Sequence, residues 1–218
     1  MKANLFKIYQ LIVLSCAILV FTACQKPQQN ILDFFVQDNL RGETFKTFYL
    51  STDFNDQVIF KQVINKGKEQ DEVYIEYVYM TKDSIPYLNG IERIRGNTLE
   101  FVEQYIYVEG RKIPSETLGE KTWNLLQDAE KKIELKFNDE KTKISFEIKS
   151  EAKAVFKDTL DTQMLVVEYS TNTTYFKNGL KIKDEPSKSI RYYQKNSGLV
   201  CYTDTYSNLT KTYRIKNN

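Results

Sequence analysis

Three cysteines, a full complement of acids and no histidine bound the chemistry open to this chain. Without imidazole there is no Ser-His-Asp or Cys-His nucleophile and no His-containing zinc or copper site. Carboxylate chemistry and oxygen-ligand metals survive. The acids in Asp53-Phe54-Asn55-Asp56 and Asp184-Glu185 read as turn residues, because a calcium loop wants denser, regularly spaced oxygens around a central glycine. The eight glycines are scattered among turns and build no phosphate cradle. Cys201, in Leu199-Val200-Cys201-Tyr202, lies in an apolar strand pattern and reads as a reduced, buried thiol with a packing role. No catalytic residue, metal site or cofactor is assigned.

Two short motifs carry resemblances without their context. Ser150-Glu151-Ala152-Lys153 resembles the Ser-x-x-Lys pattern of penicillin-recognising enzymes. Those enzymes also need Ser-Asp-Asn and Lys-Thr-Gly, which this chain lacks. Asp83-Ser84-Ile85 and Asp158-Thr159-Leu160 resemble an O-glycosylation motif of Gram-negative envelope proteins. Turn chemistry explains both equally well, so glycosylation of Ser84 or Thr159 stays open.

The strongest pattern lies at the front. Lys2 and Lys7 precede an uncharged run from Leu11 to Thr22, too short to span a bilayer as an ordinary helix. Phe21-Thr22-Ala23-Cys24 resembles the lipobox of bacterial lipoproteins, with Phe21 where Leu is usual. The resemblance implies cleavage before Cys24, a signal peptide over 1–23, and fatty acylation (palmitate or similar) of the Cys24 thiol and usually of the new amine. Two or more acyl chains give stable anchoring where one does not. Residues 24–30 then form a polar tether. In that family an aspartate after the cysteine favours the inner membrane; Gln25 therefore points to the outer membrane, with the periplasmic or surface face left open.

Removing residues 1–23 takes away two lysines and no acid, leaving 29 basic and 29 acidic residues. A balanced surface argues against nucleic acid and against electrostatic membrane targeting. Cys16 leaves with the signal and Cys24 carries lipid, so Cys201 has no partner for an intramolecular disulfide.

These residues need a scaffold, and from Thr44 onward the dominant period is two. Ile133, Leu135 and Phe137 alternate with lysines and Glu134, and Ile144, Phe146 and Ile148 do likewise after Asn138–Lys141, which reads as a hairpin. Asn89-Gly90, Gly96-Asn97, Glu109-Gly110, Asn178-Gly179 and Asn196-Ser197-Gly198 read as turns. The spacing predicts strands near 45–51, 57–65, 72–82, 91–95, 98–108, 131–137, 142–150, 152–157, 163–171, 188–195, 198–206 and 209–216. Short helices are expected over Ile31–Leu40 and Leu118–Ala129. The expected fold is all-β and mainly antiparallel over 31–218: a curled sheet, half-barrel or barrel of about 10–12 strands, with a β-sandwich as the alternative.

The strands around Tyr77 and Tyr105 are apolar on both faces and should be covered on both sides. In outline this resembles periplasmic lipoprotein carriers and related lipid-binding lipoproteins. We therefore expect an apolar space bordered by Tyr77, Tyr79, Tyr105 and Tyr107, with phenol hydroxyls for the polar end of a ligand. The expected function is a non-enzymatic, membrane-anchored envelope lipoprotein that binds an apolar ligand such as a lipid, or a protein partner. The alternatives are an accessory subunit of an envelope complex and a carboxylate-dependent hydrolase.

Overall fold

The computed structural model describes residues 30–35, 42–50, 53–66, 72–128, 130–158 and 162–215. Residues 1–23, Cys24, Thr159 and the second half of the helix expected over 31–40 lie outside them. The chain divides into Met1–Asn30 and a compact unit, Ile31–Asn218. All of the regular structure described lies in the compact unit.

One helical turn, α1 (Leu32–Phe35), precedes thirteen strands: β1 (Gly42–Leu50), β2 (Asp53–Lys66), β3 (Glu72–Thr81), β4 (Pro86–Arg95), β5 (Thr98–Val108), β6 (Arg111–Thr117), β7 (Thr122–Asn124), β8 (Glu130–Asp139), β9 (Ile144–Asp158), β10 (Gln163–Lys177), β11 (Leu180–Gln194), β12 (Gly198–Tyr206) and β13 (Leu209–Ile215). They run as an antiparallel meander in which β4 pairs with β5 and β13 returns to β1, through Phe48 opposite Ile215. The ring has twelve strands and no free end, the barrel form of the expected fold. β7 stands outside the ring. It lies beside the first residues of β5, with Trp123 opposite Leu99, while β6 pairs directly with β8.

Turn chemistry closes the hairpins at one end. Glu109-Gly110, Asn178-Gly179 and Ser207-Asn208 all take positive φ at both positions, the geometry of two-residue turns that match strand twist. Asn89-Gly90 behaves otherwise. Both residues lie within β4, and the chain reverses at Lys82–Ile85, where the Ser84 amide bonds to the Thr81 carbonyl at 2.9 Å. Gly90 serves packing instead, by leaving room for the ring of Tyr77.

The helix expected over Leu118–Ala129 is replaced by β7 and a turn. Trp123 is fully buried and Leu125 nearly so, while Leu118 and Leu126 are exposed. That is the alternation of a strand with Trp123 as its anchor; the indole Nε1 donates to the Asp128 carbonyl at 2.7 Å. Three further expectations are corrected. Asp53 opens β2 and Asp184-Glu185 lie within β11 rather than in turns, and β9 runs unbroken through Ser150–Ala152 where two strands were expected.

α1 plugs the barrel end opposite those hairpin turns. Ile31, Phe34 and Phe35 are buried among Ile75, Ile94, Leu99, Phe101 and Leu165, burial worth roughly 1.5–3 kcal/mol for each large side chain. Phe34 meets Phe156 edge-on and Phe35 meets Tyr193 at 4.9 Å. The Gln62 amide donates to the Phe35 carbonyl at 3.0 Å. Lys46 reaches the carbonyls of Ser197 and Leu199, and burial lowers its ammonium pKa to about 8.

The outer wall over β8–β11 is charged. Lys153–Glu130, Lys136–Glu147 and Lys188–Glu168 pair across strands at 2.6, 3.6 and 2.7 Å. Exposed pairs of this kind contribute little to stability; they mark a wall that faces water.

Candidate functional site

A cavity of about 320 Å³ runs through the barrel from Phe35 at the α1 end to Tyr206 at the hairpin end. Twelve strands enclose more space than side chains fill, and pleating decides which residues enter it. From β8 come Ile133, Leu135 and Phe137, and from β5 Phe101 and Ile106; with Ile75 these make its apolar part. The adjoining wall carries a row of hydroxyls, with Ser150 of β9 directly beside Ile133 of β8. Ser150, Thr171 and Ser187 stand opposite one another across β9, β10 and β11, with Ser150 and Thr171 hydrogen-bonded at 2.8 Å. Their short side chains are what leave the room.

Two ionisable groups line the same space. Arg191 on β11 has its guanidinium over the rings of Tyr202 at 4.5 Å and Tyr79 at 5.4 Å. It faces Asp204 on β12 at 3.5 Å, and Ser189 donates to that carboxylate at 2.6 Å. Arg191 Nη1 is buried without a hydrogen-bond partner. Glu92 on β4 lies beside the Tyr77 hydroxyl and makes no ion pair among the described residues. Burial dominates and raises its carboxyl pKa to about 7; the neighbouring Tyr77 hydroxyl acts against that shift but does not reverse it.

Gly90 makes the Tyr77–Glu92 contact sterically possible. Tyr77 and Gly90 are direct cross-strand partners. A Cβ at Gly90 would collide with Tyr77 Cζ and its hydroxyl, and would stand 3.0 Å from Cε1. The ring therefore lies across β4 in the space a side chain would take, and its hydroxyl reaches the next inward residue of that strand, Glu92.

Of the four tyrosines expected at the site, Tyr77 and Tyr79 line the cavity, and their rings meet edge-on at 5.9 Å. Tyr105 and Tyr107 do not. Between Ile91 and Glu92 the β4–β5 register shifts: Ile91 faces Glu103 and Glu92 faces Phe101, leaving Val102 as an extra residue. This bulge reverses the inward set of β5. Gln104 and Ile106 enter the cavity, and Tyr105 shares the outer face with Asn89, with the Lys112 ammonium 3.5 Å from its ring centre.

The other candidates sit apart from the cavity. Cys201 is half-buried rather than buried and pairs across the strands with Arg214; burial raises its thiol pKa. Ser84 is exposed in its turn. Lys153 points to the outer wall and pairs with Glu130 at 2.6 Å, so the Ser-x-x-Lys residues form no site. Among the described residues no three of His, Cys, Asp and Glu group as metal ligands.

Glu92, Arg191, Gln104 and the hydroxyl row were not singled out from the sequence. Nothing in Ile91-Glu92-Arg93-Ile94 marks Glu92 as inward: its neighbour Ile94 is buried, yet Ile91 on the other face is equally apolar.

No family model matches this chain, and no curated protein does. Among solved structures it is similar to a candidate lipoprotein from Parabacteroides distasonis ATCC 8503, with 12% sequence identity, 84% of this chain and 95% of that chain covered, and a TM-score of 0.47.

Proposed function

We propose that this chain is a lipid-anchored bacterial envelope protein whose barrel holds a small amphiphilic ligand and performs no catalysis. The anchor reading rests on the basic, apolar, small-residue and cysteine order that ends at Cys24, and Gln25 supports the outer membrane. The observation that carries the ligand reading is the cavity itself, apolar along β5 and β8 and hydroxylic along β9–β11. Such a space suits a ligand with an apolar body and a polar end. The non-catalytic reading rests on what lines it: among the described residues one carboxylate, Glu92, without the second acid that carboxylate hydrolysis uses.

Two measurements test this. Intact mass spectrometry of the mature protein should find acyl chains on Cys24, and an unmodified thiol there refutes the anchor. Native mass spectrometry of the full chain should find a small molecule that is released on unfolding and lost in Tyr77→Ala. An empty protein that takes up neither fatty acids nor amines refutes the ligand.

A second reading, an accessory subunit of an envelope complex, is favoured by Leu180, Ile182 and Leu209. They are 74%, 58% and 61% exposed beside the β10–β11 and β12–β13 turns. Cross-linking at Leu180 that captures one defined envelope protein would support it.

A further inference from the structure

We propose that the cavity selects an organic cation, a primary or alkylated amine on a short apolar body, and seats its charged end at Glu92. This rests on the cavity being a ligand site and adds what the ligand must carry.

Glu92 enters the cavity from β4 beside Tyr77, held there by the space over Gly90. The Tyr77 hydroxyl lies beside it, and among the described residues no cation pairs with it. Burying a carboxylate without a cation is costly, and a ligand bearing one removes that cost.

The surroundings suit the same ligand. Tyr77 and Tyr79 on β3, Tyr169 on β10 and Tyr193 on β11 line the same cavity as Glu92. Aromatic rings sharing a space with an acid are the chemistry that holds ammonium groups. Phe35 and Phe101 supply apolar surface on the same stretch.

The other charged groups facing this space do not satisfy Glu92. Arg191 on β11 is turned to Asp204 on β12 and stacked on Tyr202. That pair is neutral as a whole. An anionic end would have only the unpartnered Nη1 of Arg191 to meet, on a guanidinium already faced by Asp204, and would add a second negative charge to a space that holds Glu92. A cation meets neither obstacle. Burial sets a condition as well: with its pKa near 7, Glu92 loses its charge as the medium becomes acidic.

The test is calorimetric titration of the full chain in phosphatidylcholine nanodiscs, with empty nanodiscs subtracted. The probes are hexylamine, hexyltrimethylammonium, hexanol and hexanoate. The cations should bind at pH 8 about tenfold or more tighter than hexanol, and should weaken by about tenfold per pH unit below 7. Glu92→Gln should abolish both the preference and the pH slope with its thermal unfolding still cooperative; Glu92→Asp should keep part of each. Should Glu92→Gln misfold, the pH slope and the probe ranking of the native chain decide alone. Hexanol or hexanoate binding as tightly as hexylamine, or an unchanged slope in Glu92→Gln, overturns the cation proposal while the ligand site stands. No binding by any of the four probes overturns both.

Discussion

Gly90→Ala inserts one methyl group where the Tyr77 ring lies, and its cost follows from that single contact. The added Cβ would overlap Tyr77 Cζ and the hydroxyl and crowd Cε1 at 3.0 Å. Gly90 is buried, its backbone is paired on both sides to β3 and β5, and its φ is not left-handed. The strand cannot retreat, so the ring must. Overpacking of this kind costs about 1–3 kcal/mol. Replacing glycine within a strand gives back about 0.5–1 kcal/mol by restricting the unfolded chain, leaving a net loss of up to about 2.5 kcal/mol. The same change in a Tyr77→Ala background meets no ring and should be neutral or mildly stabilising, so the two residues should couple by about 1–3 kcal/mol. Urea unfolding of the wild type, both single variants and the double variant measures this. The displaced Tyr77 also moves its ring and hydroxyl away from Glu92 in the cavity, so ligand affinity should fall together with stability. Equal destabilisation by Gly90→Ala with and without Tyr77, or no loss in either, would refute the assignment of Gly90 as the seat of the ring.

Three further outcomes rest on named contacts. Because burial raises the Glu92 carboxyl from 4.5 to about 7, the folded chain keeps a proton that the unfolded chain releases. The Glu92 contribution to the stability of the unliganded protein should therefore be least unfavourable below pH 4.5 and worsen by about 3 kcal/mol by pH 7 and above; Glu92→Gln should flatten the dependence of urea midpoints on pH between 5 and 8. Asp139 is buried under a two-pronged Arg111 contact at 2.6 and 2.8 Å and accepts from Thr142 at 2.6 Å. These bonds hold its carboxyl well below the usual range, so their stabilisation is present in full above pH 4 and is lost progressively as pH falls further; Asp139→Asn should destabilise at pH 7, and the gap to wild type should narrow steadily between pH 4 and pH 2 in thermal melts. Trp123→Ala should cost about 3–5 kcal/mol, and Trp123→Phe about 1 kcal/mol for the lost Nε1 bond, by chemical denaturation.

Where each strand buries one face and wets the other, the sequence was readable. The β8–β9 hairpin is the plain case: Ile133, Leu135 and Phe137 point inward and Lys132, Glu134 and Lys136 outward, as the alternation says. The turns at Glu109-Gly110 and Asn178-Gly179 followed from their residue types. Lengths were underestimated where polar residues stay in the ladder, so β10 reaches Lys177 and β11 begins at Leu180. Tyr105 and Tyr107 failed for a different reason. One extra residue at Val102 switches the face of everything after it, and nothing in Phe101-Val102-Glu103 shows which side the chain bulges toward.

The cavity wall was hidden by a deeper ambiguity. On β11 the inward residues are Ser187, Ser189, Arg191 and Tyr193, while Ile190 and Tyr192 face out. The assumption that apolar residues face the core assigns this strand backwards. That assumption holds at the α1 end, where Phe34, Phe35, Leu165 and Trp123 meet in a filled core, because there the inside is protein. At mid-height the ring is too wide for its own side chains to fill, and inward positions face open space instead of neighbours. Hydroxyls, a guanidinium and a lone carboxylate can occupy such positions, although each would be costly in a packed interior. The reversed alternation of β11 and the unpaired acid of β4 are thus one observation. Both occur where packing stops dictating composition.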